Sequence, residues 1–345
     1  MSPVVKMALT WVTVIAAVTA VFALRYEWVQ GAFTSISEIT PGTCRDIAIG
    51  LKGPEDFEID AGHDAIFVSS LNRQAAKPNS DPHDGIYVLK LDDPGAAPVK
   101  LSGTPMDFHP HGVSLWRDAV GAENLVVIDH KITGRQMVEI YDVKFDGEAA
   151  KLIPQTTIQG GLLVSPNDVI AVGPDQFYVT NDHVTTTRLG RFAEDYLLWP
   201  HSDVMLYNGS NFRISTQRIA LPNGVAVRGD MLYVTAMNER KLLAFHRQQF
   251  FGDLDPAGSL SIPARLDNVN LAPNGDLIVA GQVKPGSAQV FRVRLDGSGV
   301  PQSYETIFSD DGHKLTGASS AQIYNGHLFI GSARDSKMLE CDIKQ

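Results

Sequence analysis

Ser165-Pro166-Asn167-Asp168-Val169, followed by Ile170-Ala171-Val172 and then by Phe177-Tyr178-Val179-Thr180-Asn181-Asp182-His183, sets adjacent amide and carboxylate oxygens just ahead of a short apolar strand. The arrangement recurs. Gly53-Pro54-Glu55-Asp56-Phe57 precedes a strand-like run at 65–70, Pro110-His111-Gly112-Val113 one at 125–128, Pro222-Asn223-Gly224-Val225 one at 231–235, and Asp267-Asn268-Val269 one at 276–280. Gly317-Ala318-Ser319-Ser320, ahead of residues 327–331, is a more degenerate sixth copy. Glu55, His111, Asn167, Asn223 and Asn268 stand 56, 56, 56 and 45 residues apart. Alternating runs at 85–91, 138–143, 241–245 and 289–293 read as outer strands of the same units. Repeats of this length carrying several short strands are propeller blades, and six copies predict an all-β, six-bladed β-propeller. The rival reading, two tandem β-sandwiches, needs a linker near the middle of the chain, where no linker-like run occurs.

Composition agrees with a large strand-rich core. Hydrophobic residues make up 44% of the 345 and charged residues 20%, with 30 Gly and 19 Pro to supply turns. The formal charge of −10, without clustered Lys and Arg, argues against nucleic acid as a partner and suits a cation.

The N-terminus differs from the rest. Lys6 and Arg25 bracket an 18-residue run at 7–24 that lacks any charge. Its length suits either a retained membrane anchor or a long signal-peptide core, with Val21-Phe22-Ala23 as a mediocre cleavage site; both carry the remainder out of the cytoplasm. Residues 1–30 are therefore read as a hydrophobic helical signal-anchor segment and 31–345 as the propeller, either membrane-anchored on the extracytoplasmic or luminal side, or secreted. Two cysteines, Cys44 and Cys341, lie near the two ends of the propeller. A bond between them would tie those ends together, the alternative being two unrelated buried thiols. Asn208-Gly209-Ser210 is a sequon compatible with a glycosylated loop.

In a propeller the innermost strands line an axial channel, so equivalent positions in different blades meet. Glu55, Asn167, Asn223, Asp267 and Asn268 are all oxygen donors, two of them carboxylates. Hard oxygens in that number suit Ca²⁺ better than Mg²⁺, which wants octahedral geometry and more water. Asn-Gly and Asn-Asp pairs also form turns, but recurrence at one level of a ring favours ligation.

At these residues the chain resembles the paraoxonase family, the calcium-dependent lactonases and arylesterases. The resemblance runs from about Cys44 to Cys341. It is carried by PEDFEI at 54–59, FHPHGVS at 108–114 and SPNDVIAVGPDQFYVTNDH at 165–183, with support from LPNGVAV at 221–227 and LDNV at 266–269. It implies two calcium ions in the channel. Glu55, Asn167, Asn223, Asp267 and Asn268 would hold a catalytic ion, while Asp56, Asp168 and the backbone carbonyl of Val113 would hold a deeper, structural one. His111 and His130 match the family's histidine pair, the first as general base and the second orienting it or relaying its proton. Imidazole is the side chain able to take a proton from water near neutral pH. The resemblance also implies a Cys44–Cys341 disulfide, a retained N-terminal helix, and Asp182 and His183 near the channel.

The chain departs from the family in the wall of the pocket. Gln282 replaces a histidine of mammalian members, the stretch at 71–78 lacks a tyrosine of the active-site loop, and Arg240 stands where another histidine is expected. These changes bear on substrate identity and phosphotriesterase activity. No GxSxG nucleophile motif is present. The expected activity is therefore calcium-dependent hydrolysis of lactones and aryl or carboxylic esters by activated water. The alternatives are a gluconolactonase- or strictosidine-synthase-like propeller enzyme, and a non-catalytic, membrane-anchored propeller that uses calcium for stability.

Overall fold

A computed structural model describes residues 2–75, 82–131, 134–146, 149–248 and 252–343. Its strands form six antiparallel sheets of four strands each, the expected six-bladed propeller. The innermost strands are Pro54–Asp60, Pro110–Arg117, Pro166–Ala171, Pro222–Arg228, Arg265–Leu271 and Ala318–Tyr324, and each opens a blade. The runs at 85–91, 138–143, 241–245 and 289–293 are the third strands of their blades. A fourth lies outside them, as in Ala149–Ile158, Leu254–Ser261 and Pro301–Asp310.

The sixth blade is completed from the other end of the chain. Cys44–Ile47 pairs with Met338–Asp342, Cys44 lies opposite Cys341, and the two cysteines are disulfide-bonded. Apolar packing closes the same seam: Ile47, Phe57, Ile66 and Val68 meet Phe329 and Met338 in one cluster. Comparable clusters fill the other five gaps between blades, so the core is a ring of wedges surrounding a polar axis.

Every innermost strand breaks register at one level. The shifts fall between Pro54 and Asp56, Pro110 and Val113, Pro166 and Val169, Pro222 and Val225, Leu266 and Val269, and Ala318 and Ser320. A β-bulge turns successive side chains away from strict alternation, so adjacent residues such as Asn167 and Asp168 can both serve the axis. Close approach of neighbouring bulges requires glycine at two of these levels. A Cβ on Gly112 would meet Asp168 Cα at 2.7 Å, and one on Gly224 would meet Asn268 Cα at 2.5 Å. Hydroxyls bridge the blades here: Thr180 Oγ1 donates to the Asn223 carbonyl at 2.6 Å, Thr235 Oγ1 to Asp267 at 2.7 Å and Ser319 Oγ to Glu55 at 2.6 Å.

Among the described residues, two α-helices lie outside the blades. The first, α1, spans Pro3–Val29 and is long and apolar enough to cross a membrane, with Trp11, Ile15 and Phe22 exposed. It extends the charge-free run of the sequence at both ends. Beyond its C-terminus, Gln30 is buried and accepts a hydrogen bond from Arg265. The second, α2, spans Arg188–Tyr196 between the second and third strands of the third blade, with the Thr187 hydroxyl accepting from the Gly190 amide as its N-cap.

Candidate active site and metal centre

Glu55, Asn167, Asn223, Asp267 and Asn268 lie on the bulges of four different blades, and all are buried. Asn268 Nδ2 donates to Glu55 Oε1 at 3.3 Å and Asn167 Nδ2 to Asp182 Oδ2 at 3.4 Å. Glu55 Oε2 and the Oδ1 atoms of Asn167, Asn223 and Asn268 are buried without any hydrogen-bond partner. A buried acceptor left unpaired costs about 1–3 kcal/mol. Four such oxygens in one ring have the chemistry of a cation's donor set.

Deeper along the axis, Asp56 Oδ2 accepts from the Val113 amide at 2.9 Å, and Asp168 accepts from Val225 at 2.8 Å and Val169 at 2.7 Å. Both carboxylates line a cavity of about 190 Å³ together with Val113, Glu58 and Gln322. Burial, and then the surrounding carboxylates, push Asp56, Asp168 and Asp267 well above the usual carboxylate range. Burial also opposes ionisation of Glu55, but His111, Arg73 and Asn268 outweigh it and hold its carboxyl low. Crowded, desolvated carboxylates of this kind are stabilised by a bound cation, which offsets the desolvation.

His111, on the second blade's innermost strand, and His130, at the end of the strand beside it, are in contact, with His111 Nδ1 2.8 Å from His130 Nε2. His130 Nδ1 meets Gln136 Oε1, and His130 and Gln136 face each other across the hairpin. Burial first, and the neighbouring His111 second, push His130 down to about 3, so it is neutral. With Gln136 Oε1 as acceptor, His130 carries its proton on Nδ1 and accepts from His111 Nδ1–H. That network directs the other ring nitrogen of His111, Nε2, toward Glu55 Oε2, 3.5 Å away.

Asp182 and His183 lie beside this ring. His183 bonds Asp182 Oδ1 at 2.7 Å through Nδ1 and Asp195 Oδ1 at 2.8 Å through Nε2, the latter on α2. Burial opposes its charge, but the two carboxylates outweigh burial and raise it to about 9.

Arg73, which lies 3.8 Å from Glu55 Oε2, also lines a neighbouring cavity of about 670 Å³ together with Gln74 and Gln282. Of the loop stretch at 71–78, residues 76–78 lie outside the described residues. Arg240 caps a 3-10 turn in the left-handed conformation, with a φ of 54°. Sequence reading missed Gln136, Glu58 and Asp195. The hairpin register could have exposed Gln136; Glu58, one alternation beyond Asp56 on the same strand, could have been read as channel-facing. No sequence signal connects Asp195 to His183.

A six-bladed propeller with an oxygen-lined axial channel defines the structural class. The solved luciferin-regenerating enzyme covers 88% of this chain and 99% of its own at a TM-score of 0.56 and 11% identity. Regucalcin from Agrobacterium tumefaciens, described as a calcium-binding protein, covers 89% and 96% at 0.55 and 12%. Within that class, the arylesterase family model matches residues 35–343, and the chain belongs to the arylesterase family of ester hydrolases. Curated relatives include mouse serum paraoxonase/arylesterase 1, 27% identical over 98% of this chain and 99% of the relative, and human serum paraoxonase/lactonase 3, 28% identical over 90% and 92%.

Proposed function

We propose that this protein is a calcium-dependent hydrolase of lactones and aryl or carboxylic esters, with His111 as general base. The observation that carries the reading is the ring of four buried oxygens without hydrogen-bond donors beside the His111–His130 pair. Glu55, Asn167, Asn223, Asp267 and Asn268 would hold a catalytic calcium. Asp56, Asp168 and the carbonyl of Val113 would hold a second, structural one. When bound, the catalytic ion supplies positive charge to a carbonyl oxygen and to the oxyanion that develops from it.

The protein's own residues do the remaining work. His111 Nε2 removes a proton from the attacking water, and His130, held by Gln136, keeps the opposite proton on Nδ1. The exposed apolar helix α1 supports membrane association, either as a retained anchor or as an export signal, and the Cys44–Cys341 bond fits an oxidising compartment.

The test is turnover of γ- and δ-lactones and phenyl acetate, with calcium and with chelator. Activity should vanish on chelation, the melting temperature should fall with it, and His111→Gln should lower kcat by about 10²–10⁴-fold. Lactone turnover that survives complete calcium removal sinks the mechanism. A stable, calcium-responsive protein without hydrolytic activity would instead favour the non-catalytic propeller.

A further inference from the structure

The cavity that Arg73 joins to the oxygen ring is basic in an acidic protein. Among the described residues its lining contains Arg73, Arg265, Lys284 and Arg334 and not a single carboxylate, although the chain carries a net charge of −10. Lys284 is neutralised by Asp311 at 2.6 Å. The three guanidiniums are not neutralised in this way. Among the described residues, Arg73 comes no closer to a carboxylate than 3.8 Å, at Glu55 Oε2. Among the described residues, Arg265 donates only to neutral atoms, Gln30 Oε1 and Met237 Sδ, and its Nε is buried without a partner. Arg334 has no carboxylate within 4.0 Å among the described residues.

A dication held by Glu55 and Asp267 would cancel those two negative charges, leaving the charge of the arginines uncompensated. Guanidiniums bind oxyanions through paired N–H groups, and a cleft lined by one sign of charge concentrates ligands of the other. The position is suited to substrate selection: Arg73 approaches the same Glu55 oxygen that lies 3.5 Å from His111 Nε2.

We propose that the enzyme selects esters or lactones bearing an oxyanion remote from the reacting carbonyl, docked on Arg265 and Arg334. This inference rests on the hydrolase reading above. It assigns this cavity to anionic substrates, where an apolar wall would select lipophilic ones.

Phenyl valerate and monophenyl glutarate differ only by replacement of a terminal methyl with a carboxylate, so they test the proposal directly on the full chain in uncharged detergent with calcium. The glutarate ester should be favoured by about tenfold in kcat/KM at low salt, and the preference should shrink as salt screens it. Arg334→Gln, at an exposed position, should abolish the preference through KM while valerate turnover persists, and Arg334→Lys should restore part of it. Arg265→Gln should also reduce it. Calorimetric titration with glutarate gives an independent readout: binding to the wild type, weakened in Arg334→Gln, is expected.

Valerate hydrolysis without any glutarate preference overturns the proposal and leaves the hydrolase reading intact. If neither ester is hydrolysed, the hydrolase reading fails and the substrate assignment falls with it, whatever the titration shows. An Arg334→Gln enzyme that loses affinity for phosphatidylcholine vesicles doped with phosphatidylserine, yet keeps the wild-type ester preference, would assign the cations to lipid headgroups and overturn the substrate assignment.

Discussion

Asn167 and Asp168 are neighbours on one bulge, yet their side chains differ in what they leave unpaired. Asn167 turns its amide nitrogen to Asp182 and keeps Oδ1 without a donor, whereas Asp168 accepts from the amides of two blades. In calcium-containing buffer, Asn167→Ala should lower kcat/KM by about 100-fold with a small change in urea midpoint. Asp168→Ala strands the Val169 and Val225 amides and should cost about 2–4 kcal/mol of stability. The reverse pattern would refute the division into catalytic and structural ions. At this scale the ring oxygens were legible because their types recur at one spacing. Gln136 was not, because its contact with His130 depends on hairpin register, which residue types alone do not specify.

Secondary elements were legible where burial imposes a pattern. The inner strands are buried along most of their length, but the outermost ones are mainly exposed: Ala149–Ile158 buries Leu152 and Ile158 among largely exposed neighbours and contains Pro154. Edge strands tolerate proline and need little apolar alternation, so they read as loops. Helix α2 was missed for a related reason: the described residues pack only its Glu194 fully, and that carboxylate accepts from Val184, Thr185 and the Thr185 hydroxyl. The His183–Asp195 contact also holds α2 to the third blade. Because the folded-state pKa of His183, about 9, exceeds its ordinary value of about 6.5, the stability it contributes is complete below 6.5 and is lost as pH rises through 9. Hydrogen exchange should therefore show α2 less protected in Asp195→Asn than in the wild type at neutral pH, with the gap closing above about pH 9. A gap that stays constant across that window would exclude this titration.

On the scale of the whole molecule, the ring is closed by the pairing of the strand at Cys44–Ile47 with Met338–Asp342 and by a disulfide spanning 297 residues. Chain entropy gives such a link up to about 5 kcal/mol, less whatever structure the unfolded chain retains. Replacing both cysteines with serine should lower unfolding stability by about 2–5 kcal/mol while preserving the strand pairing. An unchanged denaturant midpoint would mean that the apolar seam of Phe57, Phe329 and Met338 closes the ring by itself.

The sequence alone determined the propeller, its blade number and the identities of the ring oxygens, because a repeated unit must place equivalent residues at equivalent depth. The tertiary structure decided the rest: which oxygens lack hydrogen-bond partners, which nitrogen of His111 faces Glu55, how α2 is tied down, and that arginines from distant segments share one cavity. Those properties depend on distances between residues far apart in the chain, and the closed ring brings them together without leaving a periodic trace in the sequence.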